Sequence, residues 1–221
     1  MPIFVLSNKN HIFQCVFHIQ HDAKAMPMDL QNEPAMKAKS EFRRLVKGLP
    51  IPPRLDAGLW LEHFRKLSVK SAVLVGYMPL ADEPDCREIL EYWLKESGSI
   101  YLPVFDAGTR SYELALVKGL DSGSLCIGHY GIAEPLPALP RMAGPYCFEG
   151  GCVWLVPGIA FSRQGVRLGR GAGYYDRLLA GSNGVKVGLS YEDRVFDWLP
   201  SEEHDVKMDY LLTEMGLAEV N

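Results

Sequence analysis

Residues 166–179 read V-R-L-G-R-G-A-G-Y-Y-D-R-L-L. They follow an apolar run, Val153-Trp154-Leu155-Val156, that ends at Pro157-Gly158, and they lead into a helical segment from about Tyr174. The order is strand, long loop, helix. Gly165, Gly169, Gly171 and Gly173 permit positive φ and let backbone N–H groups come close to a ligand. The helix after them adds free N–H groups and a partial positive charge of roughly half a unit at its start. Arg163, Arg167, Arg170 and Arg177 gather here, although the whole chain has 23 Lys plus Arg against 27 Asp plus Glu. Basic charge is therefore concentrated where the glycines are, which suits a phosphate. Asp176 falls in the first helical turn, where an acid caps the helix, pairs with an arginine or holds a cation that bridges phosphate oxygens. A glycine-rich turn also serves as a plain tight connection. The spacing is not G-x-G-x-x-G and no G-K-[ST] follows, so the glycines alone leave both readings open.

The whole chain narrows the function classes. At 221 residues with 48% hydrophobic content it can bury a core suited to one α/β domain. A net charge of −4 argues against broad electrostatic binding to nucleic acid or an anionic membrane, and favours small-molecule chemistry. The five cysteines, Cys15, Cys86, Cys126, Cys147 and Cys152, are odd in number and form no C-x-x-C pair, which suggests reduced thiols in a cytoplasmic protein. Cys152 is expected inside the sheet. Residues 3–6 are too short an apolar run for a signal peptide, and nothing approaches a transmembrane span. Residues 1–33 read as a peripheral N-terminal arm, in which His11, His18 and His21 carry no assigned chemistry.

The domain is expected over residues 34–221. Ala35, Ala38, Phe42, Leu45 and Val46 mark one face of a helix that stops at Gly48-Leu49-Pro50. Lys39 and Arg43 lie four apart on it, a spacing that by itself describes a solvated basic face. A second helix is predicted over 53–67. Residues 72–77, 85–96 and 99–104 read as strand, helix and strand, a β-α-β unit that calls for a parallel sheet. Ligands gather at the carboxyl ends of such strands, where the loop 78–83 lies. Glu83 there serves equally well as a helix cap. Further strands are predicted at 112–117, 185–189 and 210–213, with an irregular proline-rich stretch at 125–140. The fold class is α/β, a mostly parallel sheet with helices on both faces in a single domain.

Several motifs together are more specific than any one of them. Pro157-Gly158, Phe161, Gly165-x-Arg167-Leu168-Gly169-Arg170-Gly171-x-Gly173-Tyr174-Tyr175-Asp176-Arg177 resembles the signature of the 5-formyltetrahydrofolate cyclo-ligase family, also called methenyltetrahydrofolate synthetases. Lys39-x-x-Phe42-Arg43, Tyr130-x-Ile132-x-x-Pro135 and His204-Asp205-x-x-x-Asp209 resemble further segments of that family.

The resemblance implies an ATP- and Mg2+-dependent conversion of 5-formyltetrahydrofolate to 5,10-methenyltetrahydrofolate, with ADP and phosphate released. It implies nucleotide binding by Lys39, Arg43 and the run Arg167, Leu168, Gly169, Arg170, Gly171, Ala172, Gly173, Tyr174 and Tyr175. Arg170 and Lys39 are the expected catalytic groups. Met78, Glu83, Tyr130, Arg170 and Tyr174 are expected at the folate. The expected magnesium ligands are Asp176 and Asp209, with His204 and Asp205 in a structural or supporting role. A monomer or weak homo-oligomer without nucleic-acid or membrane partners is expected in the cytoplasm. Other readings are a paralogue that binds nucleotide or folate without turnover, and a kinase or ligase with another acceptor.

Overall fold

The computed structural model describes residues 34–220 apart from 51–56, 69–70, 72, 107, 110 and 129–130. The N-terminal arm and Tyr130 lie outside the described residues. The predicted β-α-β unit is present as β1 (Val73–Val75), a helix at Arg87–Ser97 and β2 (Ile100–Asp106), with Val75 opposite Tyr101 in parallel register. That helix is the third of the described helices, after α1 (Ala35–Gly48) and α2 (Ala57–Phe64), and is termed α3. It ends where Gly98 takes a left-handed φ of 77° and donates its N–H to the Leu94 carbonyl at 2.8 Å.

After β2 come β3 (Ser111–Val117), the short pair β4 (Leu125–Ile127) and β5 (Ala133–Pro135), and β6 (Arg141–Met142). β7 (Cys152–Pro157) leads to β8 (Ala160–Ser162), β9 (Arg167–Leu168) and α4 (Tyr174–Leu179). β10 (Val185–Leu189), β11 (Val195–Phe196), β12 (Tyr210–Thr213) and β13 (Gly216–Glu219) complete the chain. The large sheet has the order β13-β12-β10-β7-β1-β2-β3-β6. Its centre, β12-β10-β7-β1-β2, is parallel, and antiparallel pairs close both edges. The fold is thus mixed α/β around a large, mostly parallel sheet with few helices. β13 does not appear in the sequence reading, because Gly216-Leu-Ala-Glu lacks apolar alternation. It forms as the return of a tight turn onto β12.

Alternate residues of the central strands enter two separate cores. Leu74, Val153, Leu155, Val187 and Leu189 pack with Trp60 and Phe64 of α2 and Ile89 and Leu90 of α3. Val75, Trp154, Val156 and Leu211 enter the other core, where α4 supplies Leu178 and Leu179 with Tyr175 packed against them, and Tyr146, Phe161, Val195 and Met208 are also buried. Every residue of β7 is buried, as a central parallel strand requires. A third cluster joins Phe42 and Val46 of α1 to Val166, Leu168 and Phe196, and so ties α1 to the small sheet β11-β8-β9. Among the described residues no helix is long and apolar enough to cross a membrane.

Leu155 is 1% exposed at the centre of the sheet. Leu155→Ala is expected to cost about 2–5 kcal/mol in urea unfolding, because the surrounding strands cannot collapse onto the space left. A loss below about 1 kcal/mol would contradict this packing.

Candidate functional site

Parallel strands put their carboxyl ends on one side, and a cavity of about 540 Å³ opens there. The chain after β1 supplies Tyr77, Met78 and Glu83, and the chain after β7 supplies Gly158. The glycine loop between β9 and α4, the Lys39 and Arg43 side chains of α1 and the segment 202–205 form the other walls. Gly165, Gly171 and Gly173 have positive φ, at 78°, 105° and 64°. Gly169 does not. Its lack of a side chain has a steric reason, since a Cβ would stand 2.5 Å from Nη1 of Arg167.

Each cation in this cavity is held by the chain itself. Lys39 Nζ donates to Glu202 Oε2 at 2.7 Å and to Asp205 Oδ1 and Oδ2 at 2.8 and 2.6 Å. An ammonium has three N–H donors, so all of them are used. Arg43 Nε donates to the Gly169 carbonyl at 2.9 Å, which fastens α1 to the glycine loop. Arg167 Nη2 donates to Asp176 Oδ1 at 2.8 Å, and Arg170 Nη2 donates to Asp82 at 2.7 Å and to Glu83 at 3.3 Å.

The Glu83 side chain is buried in the site, as is that of Asp205. Burial pushes the Glu83 carboxyl above the usual range, against the Leu80 N–H and Arg170, which both pull it down. The phenols of Tyr77 and Tyr175 are raised by burial first, with Glu83 adding to both, so each remains a neutral O–H group. Tyr174 makes edge contacts with Phe105 and Tyr112 at centroid distances of 5.7 and 5.0 Å, and the Arg177 guanidinium lies 5.1 Å from its ring centroid. This gives the cavity an aromatic wall as well as a charged one.

The family model of the 5-formyltetrahydrofolate cyclo-ligase family matches residues 60–214. The chain belongs to the 5-formyltetrahydrofolate cyclo-ligase family. A cyclo-ligase of Mus musculus is 38% identical over 187 residues, covering 81% of this chain and 88% of the relative. One of Mycolicibacterium smegmatis is 33% identical over 150 residues, covering 66% of this chain and 76% of the relative. The solved structure of Aquifex aeolicus 5,10-methenyltetrahydrofolate synthetase superposes with a TM-score of 0.65 at 28% identity, over 85% of this chain and 93% of that one.

The cavity of this cyclo-ligase family member gathers most residues singled out in the sequence. Lys39, Arg43, Met78, Glu83, Arg167, Ala172, Asp176 and the glycines, arginine and tyrosines between 169 and 175 all line it. Leu168 does not. It is buried against Phe42 and Val166 and acts in packing. Asp209 requires a correction too, because it precedes β12, at the amino-terminal end of the parallel strands. There its Oδ2 accepts the Lys186 N–H at 2.7 Å. It does not line the cavity with Asp176, whereas Glu202, His204 and Asp205 do. The donor atoms of those three lie within 4.8 Å of one another. Four-residue spacing in H-D-x-x-x-D hid which acid faces the cavity, because the segment 202–205 is irregular and has no periodicity to read. Tyr112 and Pro103 were also missed, since their strands read only as sheet.

The folded state binds a proton at Glu83 more tightly than the unfolded chain, so stability is lost as pH rises from the ordinary carboxylate range through the raised value. Glu83→Gln cannot ionise and escapes that loss. In ligand-free calorimetry its melting temperature should match the parent near pH 4 and exceed it increasingly toward pH 8. A constant difference across that range would contradict the burial account.

Proposed function

We propose that the protein closes the imidazoline ring of 5-formyltetrahydrofolate to give 5,10-methenyltetrahydrofolate, driven by ATP and releasing ADP and phosphate. The observation that carries this is one cavity in which a glycine-rich cationic loop meets a buried carboxyl and an aromatic wall. A formamide carbonyl is a poor electrophile, and N10 of the folate cannot expel its oxygen unaided. Transfer of the γ-phosphoryl group to that oxygen turns it into a leaving group, after which attack by N10 and loss of phosphate complete the ring. The protein's task is to position the two substrates and neutralise the transferring group.

The loop N–H groups, Arg43 and Lys39 suit the nucleotide phosphates. Lys39 first has to give up a carboxylate, since its three donors are occupied. Arg170 joins the glycine loop to Glu83, and so stands where nucleotide and folate meet. That position fits neutralising the phosphoryl group in transit. Glu83 suits the pterin, whose amino group and ring N–H offer two parallel donors to one carboxylate. Met78, Tyr112 and Tyr174 provide apolar surface for the rest of the folate.

The cavity's carboxylates are hard oxygen donors, the kind magnesium takes. Asp176, with Asp205 and Glu202 in place of Asp209, would hold the ion, which when bound supplies charge neutralisation at the phosphates. We read residues 34–221 as one domain and the protein as a cytoplasmic monomer or weak homo-oligomer. The free thiols of Cys86, Cys126, Cys147 and Cys152 support that compartment.

The test is growth of methenyltetrahydrofolate absorbance from 5-formyltetrahydrofolate, Mg2+ and ATP. Growth should require ATP and fall about 100-fold or more in Asp176→Asn and Asp205→Asn. Asp209→Asn should stay within about threefold of the parent. Bound ATP and folate without product would overturn the reading in favour of a non-catalytic binder.

A further inference from the structure

We infer that Arg167 is a positioning residue, which holds the Asp176 carboxylate so that one oxygen stays available to a divalent cation. The inference rests on the proposed role of Asp176 as a cation ligand. Arg167 lies on β9, with its backbone paired to Phe161 of β8. Its side chain runs past Gly158 and Gly169. A Cβ on Gly158 would stand 3.1 Å from Arg167 Cγ, and one on Gly169 would stand 2.5 Å from Nη1. Gly169 therefore leaves room for the Arg167 guanidinium, whereas Gly158 leaves room first for the Phe161 ring, whose Cε2 and Cζ would both stand 2.8 Å from a Cβ there.

The Arg167 side chain is 5% exposed. Its Nη2 donates to Asp176 Oδ1, its Cζ lies 5.5 Å from the Tyr175 ring centroid, and its Nε is buried without an acceptor among the described residues. Burying a guanidinium with an unmet donor costs stability, so packing does not explain this arrangement. The pairing does have a consequence at Asp176. Oδ1 is tied down, while Oδ2 accepts no hydrogen bond from the described residues, and Asp176 lines the cavity. A carboxylate fixed at one oxygen and open at the other is held as a ligand must be, because outer partners orient the groups that bind metal. Arg170 differs in being 42% exposed and joined to Asp82 and Glu83, which leaves it placed to meet substrate.

The experiment is titration of Mn2+, followed by its electron paramagnetic resonance signal, into the protein saturated with a non-hydrolysable ATP analogue. Arg167→Lys should weaken Mn2+ binding about 10-fold or more. The same substitution in an Asp176→Asn background should change nothing further, and metal-free affinity for the analogue should stay within about threefold. If Arg167→Lys does not fold, Gly169→Ala carries the test, since it keeps the guanidinium and displaces it by contact. Its expected Mn2+ defect is the same.

Loss of Mn2+ affinity in Asp176→Asn with none in either Arg167→Lys or Gly169→Ala would overturn the positioning role alone. A 10-fold loss of metal-free nucleotide affinity in Arg167→Lys would overturn it in favour of a phosphate ligand. Unchanged Mn2+ affinity in Asp176→Asn would overturn the cation assignment and the inference with it.

Discussion

The parallel register of β1, β7 and β10 is the constraint on which the site depends. Val75 pairs opposite Trp154 and Leu189 opposite Pro157, so the chain leaves these strands on one side of the sheet. Tyr77, Glu83 and Gly158 are thereby delivered to a common cavity. The register is in turn fixed by the two cores. A shift of one residue would exchange Leu74 and Val75, or Trp154 and Leu155, between faces that differ in depth and in partners. α1 is added to this frame by Phe42 and Val46, which leaves Lys39 and Arg43 turned to the cavity.

Charge compensation is the second organising fact. Lys39, Arg167 and Arg170 each pair with carboxylates of the same chain, and Arg43 with a loop carbonyl. The cavity thus carries its own anions, and under the proposed reading phosphate binding would be an exchange of partners. Pairing lowers the cost of keeping cations such as Lys39 and Arg167 buried. Glu83 is the exception, because burial outweighs its contacts.

Much of this was legible in the sequence, for identifiable reasons. β10 and β12 were placed to the residue because short β-branched and leucine runs between polar turns admit no other period. The helix of Lys39 and Arg43 was readable from its apolar face and its stop, and the structure ends it at Gly48. β8 and β9 were not, since two- and three-residue strands leave no pattern, and residues 160–168 read as loop. The assignment of Asp209 failed on geometry. Asp205 and Asp209 are close in sequence, yet one pairs with Lys39 in the cavity and the other caps the amide of Lys186 at the far end of the strands. Only the parallel pairing of β12 with β10 separates them, and pairing is a long-range property. Leu168 shows the opposite limit, a motif residue whose neighbours meet the cavity while it fills the core.

The central claim is that the formyl oxygen leaves as phosphate. The most direct measurement is to supply 5-formyltetrahydrofolate carrying 18O in its formyl group, with ATP and Mg2+, and to determine the isotope in the released phosphate by mass spectrometry. The account predicts one labelled oxygen in each phosphate formed with each methenyltetrahydrofolate. Unlabelled phosphate, with the isotope recovered in water, would contradict it.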